Sequence, residues 1–326
     1  MLGNFTFHNP TKLYFGENSL ENLGKELGKY GEKVMLVYGG GSIRKNGIYD
    51  AVLAELRKAG KQTVELSGVM PNPTIEKVME GVALARKEAV DLILAVGGGS
   101  VCDYCKAVAG SAYCEHDPWE YYFNNFGEMT CRWIPVGCVL TMAGTGSEMD
   151  SCSVISKHSE NRKKFYYFRN PDFSILNPVY TYTVPRHHTV AGIYDIMSHI
   201  LEQYLSGTDD NTTDYIAEGL MRSLVVSSRK VLGNPEDYEA RSNIKTLYRI
   251  LDDRVEALEF TVHEESAATG VPLSQLHLKK NLLLCCITRG SKILIPRGGD
   301  QIQVGDNVIV VTLEHGLHDL RDIVEH

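Results

Sequence analysis

Two constellations in this sequence are spaced for chemistry. Gly97-Gly98-Gly99-Ser100 closes an apolar run, and Asp103 and Lys106 follow it at helical spacing. A glycine turn between strand and helix lets a phosphate approach the backbone, because no Cβ blocks it, and the helix start offers free N–H groups with partial positive charge. Gly97-Gly98-Gly99-Ser100 is placed for such an approach, and a tight structural turn is the alternative reading of the same string. Asp195 and His199 lie four apart in a segment of helical periodicity, so their side chains share one face and can converge on one ion. A carboxylate with an imidazole suits Fe(II) or Zn(II), and the donor types alone do not choose between them. In isolation such a pair is more often an exposed helix-face contact than a ligand set. Cys102 and Cys105 form a C-x-x-C, but no second such pair follows, so they read as small apolar filler in a helix start.

These groups need a scaffold, and the hydrophobic pattern supplies one. Residues 33–38 and 91–96 are apolar runs that each end in Gly-Gly-Gly-Ser, while 48–59 and 74–87 carry apolar residues at three and four spacing. Strand alternating with helix is the pattern of a parallel α/β sheet. Further strands are expected at 132–140, 151–155 and 173–176. After Pro185 the periodicity turns helical, over 189–205, 214–231 and 236–250. Then β-branched alternation takes over at 255–262, 282–288, 292–295 and 307–312, with a terminal helix expected at 317–324. The chain thus reads as a parallel-sheet α/β domain at 1–185, an all-helical segment at 186–245, and a small β-rich α+β domain at 246–326.

Composition removes several classes of function. The 326 residues are 43% hydrophobic and 23% charged, as in a folded protein and unlike a disordered one. The formal net charge of −8, without a dense Lys/Arg run, argues against nucleic acid as a partner. No apolar run approaches the roughly 20 residues that span a bilayer. Residues 1–10 lack the basic cluster and apolar core of a targeting segment. Eight cysteines without regular spacing fit a reducing compartment, so a cytoplasmic protein is expected.

Gly97-Gly98-Gly99-Ser100-Val101-Cys102-Asp103-Tyr104-Cys105-Lys106 resembles the GGGSxxDxxK signature of the iron-type, metal-dependent alcohol dehydrogenases. The likeness continues through Pro71-Asn72-Pro73, Gly144-Thr145-Gly146-Ser147-Glu148-Met149, Ser174-Ile175-Leu176-Asn177-Pro178 and the 192–202 stretch around Asp195 and His199. It covers residues 1 to about 243 and is most similar to the butanol dehydrogenase group. The resemblance implies hydride transfer between a nicotinamide dinucleotide and a small alcohol or aldehyde. It also implies that Gly98, Gly99 and Ser100 hold the pyrophosphate, that Asp103 faces the nicotinamide side of the cleft, and that Thr141, Thr145 and Ser147 line that cleft. Asn72 would sit over the cofactor, and Gly39, Gly40 and Ser42 would meet the adenosine ribose. NAD sites commonly present an acidic residue to the ribose 2′-hydroxyl, and positions 38–42 contain none. Small residues with the Ser42 hydroxyl suit a 2′-phosphate, which favours NADP over NAD.

From about Lys245 the chain departs from that family. Its members have a longer helical domain that adds two His ligands, which this sequence lacks. Instead, Val255-Glu256-Ala257-Leu258-Glu259-Phe260, Gly270-Val271-Pro272-Leu273, Ile293-Leu294-Ile295-Pro296-Arg297-Gly298 and Val304-Gly305-Asp306-Asn307-Val308-Ile309-Val310 resemble the C-terminal regulatory (RCK-C) domain of Trk-type potassium uptake proteins. That likeness implies a small-ligand-binding, self-associating module. His263 and His277 imitate the spacing of the missing ligands but fall in the β-rich module, and His187, His188, His315 and His318 have no stronger claim. An alcohol dehydrogenase with half its metal ligands is expected, and the alternative is a non-catalytic nucleotide sensor linked to potassium transport. Truncation should leave Ile193, Ile196, Leu201, Ile216, Leu220 and Leu224 without their usual cover, which predicts a homo-oligomer.

Overall fold

Six strands assemble into one parallel sheet. In the computed structural model, which describes residues 8–205, 211–245, 256–279, 282–290, 292–294, 296–312 and 320–324, these are β1 (Lys12–Phe15), β2 (Lys33–Tyr38), β3 (Gln62–Leu66), β4 (Leu92–Gly97), β5 (Val136–Leu140) and, after a hairpin of β6 (Cys152–Lys157) with β7 (Arg162–Tyr167), β8 (Phe173–Leu176). Their order across the sheet is β1-β8-β5-β4-β2-β3. Successive side chains of a strand point to opposite faces. Val34, Leu36 and Tyr38 therefore join one core, with Leu92, Leu94 and Val96, while Met35 and Val37 join the other, with Ile93 and Ala95. Burial on both faces explains why β2 and β4 read as unbroken apolar runs.

Helices cover both faces. The first core takes up α1 (Leu23–Leu27) and α3 (Ile48–Lys58), with the short α2 (Ser42–Lys45) ahead of α3. The second takes up α4 (Ile75–Glu88) and α5 (Gly99–Ser111). Thr74 caps α4 by accepting from the Lys77 N–H at 3.3 Å. α5 starts directly on the glycine turn, and among its residues Val101, Cys102, Tyr104, Cys105 and Lys106 are buried.

The helical segment comprises α6 (Arg186–Tyr204), α7 (Asn211–Gly233) and α8 (Tyr238–Lys245). The chain divides into two compact units, Met1–Lys245 and Thr246–His326, so these helices belong to the first. The uncovered apolar face is smaller than expected. Ile196 and Leu224 are buried and Ile193 and Leu220 half-buried, because α6 and α7 pack on one another. Leu201 and Ile216 do stay exposed, in company with Tyr194, Leu205, Tyr215 and Val226.

In the second unit β9 (Glu256–Thr261), β10 (Leu282–Arg289), β11 (Lys292–Leu294) and β12 (Asp306–Thr312) form an antiparallel sheet of order β11-β10-β12-β9. Its core gathers Val262, Ala268, Ile287, Ile302, Val308, Val310, Leu320 and Ile323. Asp306 is buried and receives both Arg289 Nε and a terminal guanidinium nitrogen at 2.8 Å. This fork-on-carboxylate pairing holds the Asp306 pKa below the usual range. The expected terminal helix is a 3-10 turn at Leu320–Ile323, and residues 313–319, with His315 and His318, lie outside the described residues. Among the described residues no helix is long and apolar enough to cross a membrane.

Candidate functional site

In an open parallel sheet, ligands bind beyond the C-terminal ends of the strands. Both glycine turns and the 141–149 loop lie at that edge. The Thr141 N–H donates to the Gly97 carbonyl at 2.8 Å, which stitches the end of β5 to the end of β4. Gly98 is the extended N-cap of α5, and Gly99 is its first residue. Thr145 sits against Gly99 so closely that a Cβ there would lie 2.1 Å from the threonine Oγ1. Gly98, Gly99, Thr141 and Thr145 thus meet at one helix start, with Ser100 in the first turn of α5.

Asp103 and Ser147 meet one turn deeper. The Ser147 hydroxyl donates to Asp103 Oδ1 at 2.5 Å, and the Val154 N–H donates to Oδ2 at 3.0 Å. Burial pushes the Asp103 pKa up, opposed by the Lys106 ammonium and these two donors. Lys106 itself is wholly buried. Its Nζ donates to the Ser147 carbonyl at 2.9 Å and to Asp150 Oδ1 at 2.8 Å, with Asp103 3.8 Å away. Burial presses the lysine pKa down, but Asp150 and Asp103 together outweigh it and the net shift is upward. The Asp/Lys pair is therefore a strut between α5 and the 141–154 segment.

The first glycine turn lies beside the end of β3. The Gly68 N–H donates to the Gly39 carbonyl at 3.1 Å, and the Val69 N–H to that of Tyr38 at 3.3 Å. Gly40 and Ser42 are exposed, and Gly41 takes the left-handed φ of 97° that starts α2. Glu65 on β3 is held by the hydroxyls of Tyr49 at 2.6 Å and Tyr38 at 3.0 Å, and by Arg44 at 3.0 Å. Asn72 has a positive φ of 52° and accepts from Lys163 of β7 at 2.7 Å, so its loop leans on the hairpin.

Asp195 and His199 share the expected face of α6, with His199 Nε2 3.8 Å from Asp195 Oδ1. On its other side the imidazole Nδ1 lies 3.7 Å from Glu202. α6 approaches the 141–149 loop closely. A Cβ at Gly192 would come within 2.4 Å of the Ala143 carbonyl, and one at Gly144 within 3.3 Å of Asp195 Oδ2. A small cavity behind this contact is lined by Met142, Ala143, Thr189, Ile193, Arg241 and Ile244. Asp195 is 44% and His199 54% exposed, and among the described residues no group of three or more His, Cys, Asp or Glu side chains converges. Two donors do not make the first shell of a tetrahedral or octahedral ion, so the described residues do not by themselves fit a resident metal.

His263 and His277 are exposed on the second unit. Cys102 and Cys105 are buried free thiols. A hydrogen bond with Cys138 and burial push the Cys102 pKa well up, and burial does the same at Cys105, which is the chemistry of filler and not of a nucleophile. Sequence reasoning missed Asp150, Glu65 and Lys245. Their partners lie far off in the chain, and no local pattern marks them.

A parallel α/β unit with glycine turns at its C-terminal edge, followed by helices, defines the class of protein. The chain belongs to the iron-containing alcohol dehydrogenase family, whose model matches residues 10–178, and residues 257–325 match the TrkA-C domain. It is 44% identical over 245 residues to a probable NADH-dependent butanol dehydrogenase of Bacillus subtilis, covering 74% of this chain and 62% of that protein. It is 38% identical over 248 residues to the NADPH-dependent aldehyde reductase YqhD of Escherichia coli, covering 74% and 63%. The crystal structure of NADH-dependent butanol dehydrogenase A from Thermotoga maritima superposes with a TM-score of 0.72 at 41% identity, over 76% of this chain and 62% of that one. The chain therefore spans about 62% of the length of the curated relatives it matches. Both resemblances read from the sequence hold.

Proposed function

We propose that this chain binds a nicotinamide dinucleotide at the C-terminal edge of its parallel sheet and belongs to an aldehyde/alcohol oxidoreductase of butanol dehydrogenase type. The carrying observation is that α5 begins on Gly98 and Gly99 with no side-chain cap hydrogen bond at its N-terminus, while Thr145 packs on Gly99. Gly98, Gly99 and Ser100 would take the pyrophosphate, and Gly39, Gly40 and Ser42 the adenosine ribose. Thr141, Thr145 and Ser147 would line the nicotinamide side, with Asp103 bracing them from beneath and Asn72 over the opposite edge. The reaction class is transfer of hydride from the nicotinamide to an aldehyde carbon, with a proton added to the oxygen to give a primary alcohol. NADP is favoured over NAD, since positions 38–42 carry no carboxylate and that of Glu65 is already occupied by Arg44, Tyr38 and Tyr49.

Asp195 and His199 remain the candidate ligands for Fe(II) or Zn(II), but no catalytic step is assigned to an ion here because the set is incomplete. The half-site, together with the TrkA-C domain, favours a second reading, a non-catalytic dinucleotide sensor whose regulatory module at 246–326 takes a small ligand connected with potassium transport. Cytoplasmic residence is part of the proposal and suits the free thiols. Fluorescence titration with NADPH and NADH, followed by butanal reduction with and without added Fe(II) or Zn(II), separates the readings. Both cofactors should bind, NADPH the tighter. Metal-stimulated turnover that is lost in His199→Ala and kept in His263→Ala with His277→Ala supports the enzyme, whereas binding without turnover supports the sensor. A folded sample that binds neither cofactor sinks both.

Self-association is proposed through the exposed helical face that includes Leu201, Leu205, Tyr215 and Ile216. Each large apolar side chain buried there would contribute about 1.5–3 kcal/mol. Sedimentation of the full chain should show a dimer or larger species that Leu205→Glu with Ile216→Glu weakens. A monomer at all concentrations would refute it.

A further inference from the structure

Lys245, the last residue of α8, is 4% exposed and pairs with no side chain in a direct ion pair among the described residues. Its Nζ donates instead to two main-chain carbonyls, those of Leu140 at 3.0 Å and Asn177 at 2.9 Å. Leu140 ends β5 and Asn177 directly follows β8, its neighbour in the sheet. The residue after Leu140 is Thr141, the start of the loop that packs on Gly99. The same loop carries Glu148, which is buried, has Oε2 without a hydrogen-bond partner among the described residues, and exerts its field on Lys245. Its own backbone is pinned from the sheet, since the Ser174 hydroxyl donates to the Glu148 carbonyl at 2.6 Å.

We propose that Lys245 is a positioning residue for the dinucleotide site: its buried side chain ties the end of α8 to the carbonyls that close β5 and β8, and so fixes the base of the 141–149 loop. This rests on the dinucleotide reading above. A lysine that only filled space would be replaceable by any long apolar side chain, because it makes no bidentate pairing. A lysine that positions the loop acts through charge-assisted bonds to carbonyls, which are stronger than neutral ones.

The protonation of this amine is set close to neutrality. Burial presses its pKa down to about 7, against the opposing pull of Glu148. Burial raises the Glu148 pKa, with Lys245 and Lys106 lowering it and Asp150 raising it. The charged group that acts directly on the brace is thus Glu148, and Lys106 from α5 and Asp150 just after the loop act on Glu148 in turn. As pH rises through about 7, Lys245 changes from ammonium to amine and the brace weakens. Global stability has the opposite sign. A folded pKa below the unfolded one means that stability is lost as pH falls through the folded value and is fully present only above the unfolded one. Loop positioning and overall stability therefore move in opposite directions, which separates this role from a merely structural one.

The test uses the full chain and NADH, which lacks the 2′-phosphate that titrates in this range. Between about pH 6 and pH 8 the wild-type affinity should fall roughly five- to tenfold, and amide exchange within 141–149, corrected for its intrinsic pH dependence, should speed up. Lys245→Met keeps the volume and removes the charge; it should bind with the weak affinity of the wild type at the higher pH, independent of pH. Lys245→Arg, whose charge persists, should show tight binding without the fall. Wild-type exchange that does not change with pH, or a Lys245→Met affinity profile equal to the wild type's, overturns the proposal while leaving the dinucleotide reading intact. A wild type that binds no dinucleotide at any pH overturns both.

Discussion

Replacing Lys106 by Met should lower the stability of the first unit by about 3 kcal/mol at pH 7, because breaking a buried ion pair from one side leaves the other charge uncompensated. Lys106 is wholly buried, Asp103 is 15% exposed, and Asp150 at 44% can turn to water. Asp103 is therefore the stranded charge. The pH dependence has a definite sign. Burial already raises the Asp103 pKa, and Lys106 is the largest force holding it down, so the substitution raises it further. A group with a raised folded pKa contributes stability below its unfolded value and loses it as pH rises through the folded one. The deficit of Lys106→Met should therefore be largest at neutral pH and shrink as acid protonates Asp103. Both tryptophans, Trp119 and Trp133, lie in the first unit, so urea unfolding followed by their fluorescence reads that unit alone. A midpoint shift of roughly 1 M is expected at pH 7. A shift that grows on acidification would refute the assignment of Asp103 as the stranded partner.

How far the sequence could be read depended on where each element sits. β2 and β4 are flanked by helices on both faces, so their runs were visible as apolar blocks. β3 is an edge strand whose Thr63 and Glu65 interrupt the pattern, β1 is only four residues long, and β7 opens with Arg162-Lys163-Lys164, so none of these three was expected. The third helix stops being described at Lys245, short of the expected 250. Within the site the glycine turns were legible because strand, turn and helix are consecutive. Lys106 was legible as part of a signature, but its bonds to Ser147 and Asp150 cross more than 40 residues and follow only from the fold. Gly192 is a similar case. Nothing in its neighbours announces that α6 must pass within touching distance of Ala143.

Lys245 illustrates the opposite difficulty. Lysine is almost never fully buried without a partner, so a sequence reader places it in solvent. The two carbonyls that accept from it lie at the ends of strands more than 60 residues earlier, and the one at Asn177 also accepts from the Tyr180 N–H at 3.1 Å. The metal half-site shows the limit of spacing arguments in another way. An i,i+4 Asp/His pair is correctly placed on one face, yet whether a third donor arrives is decided by distant chain.

The largest functional effect should come from Gly99→Ala, which should weaken dinucleotide binding at least about 100-fold, or about 2.8 kcal/mol. The added methyl would lie 2.1 Å from Thr145 Oγ1 and 2.7 Å from its Cγ2. Thr145 is β-branched and has no long arm to swing aside. Nor can its loop retreat freely, for Thr141 is bonded to Gly97, Ser147 to Asp103, and Gly192 presses on Ala143. Relief must come from displacing the loop or the start of α5, and either moves the amides of 98–100 away from a bound phosphate. Two companion variants separate the causes. Gly98→Ala meets only Met142 Cβ at 3.5 Å, an ordinary contact, so a loss of binding there reports the approach of the phosphate itself. Gly219→Ala meets nothing within 4 Å in α7 and should leave binding unchanged while adding roughly 0.5–1 kcal/mol of helix stability. Calorimetric titration with NADPH of all three, on samples with wild-type circular dichroism, gives the comparison. If Gly99→Ala bound within about threefold of the wild type, under 1 kcal/mol, the helix start of α5 would not be where the pyrophosphate sits.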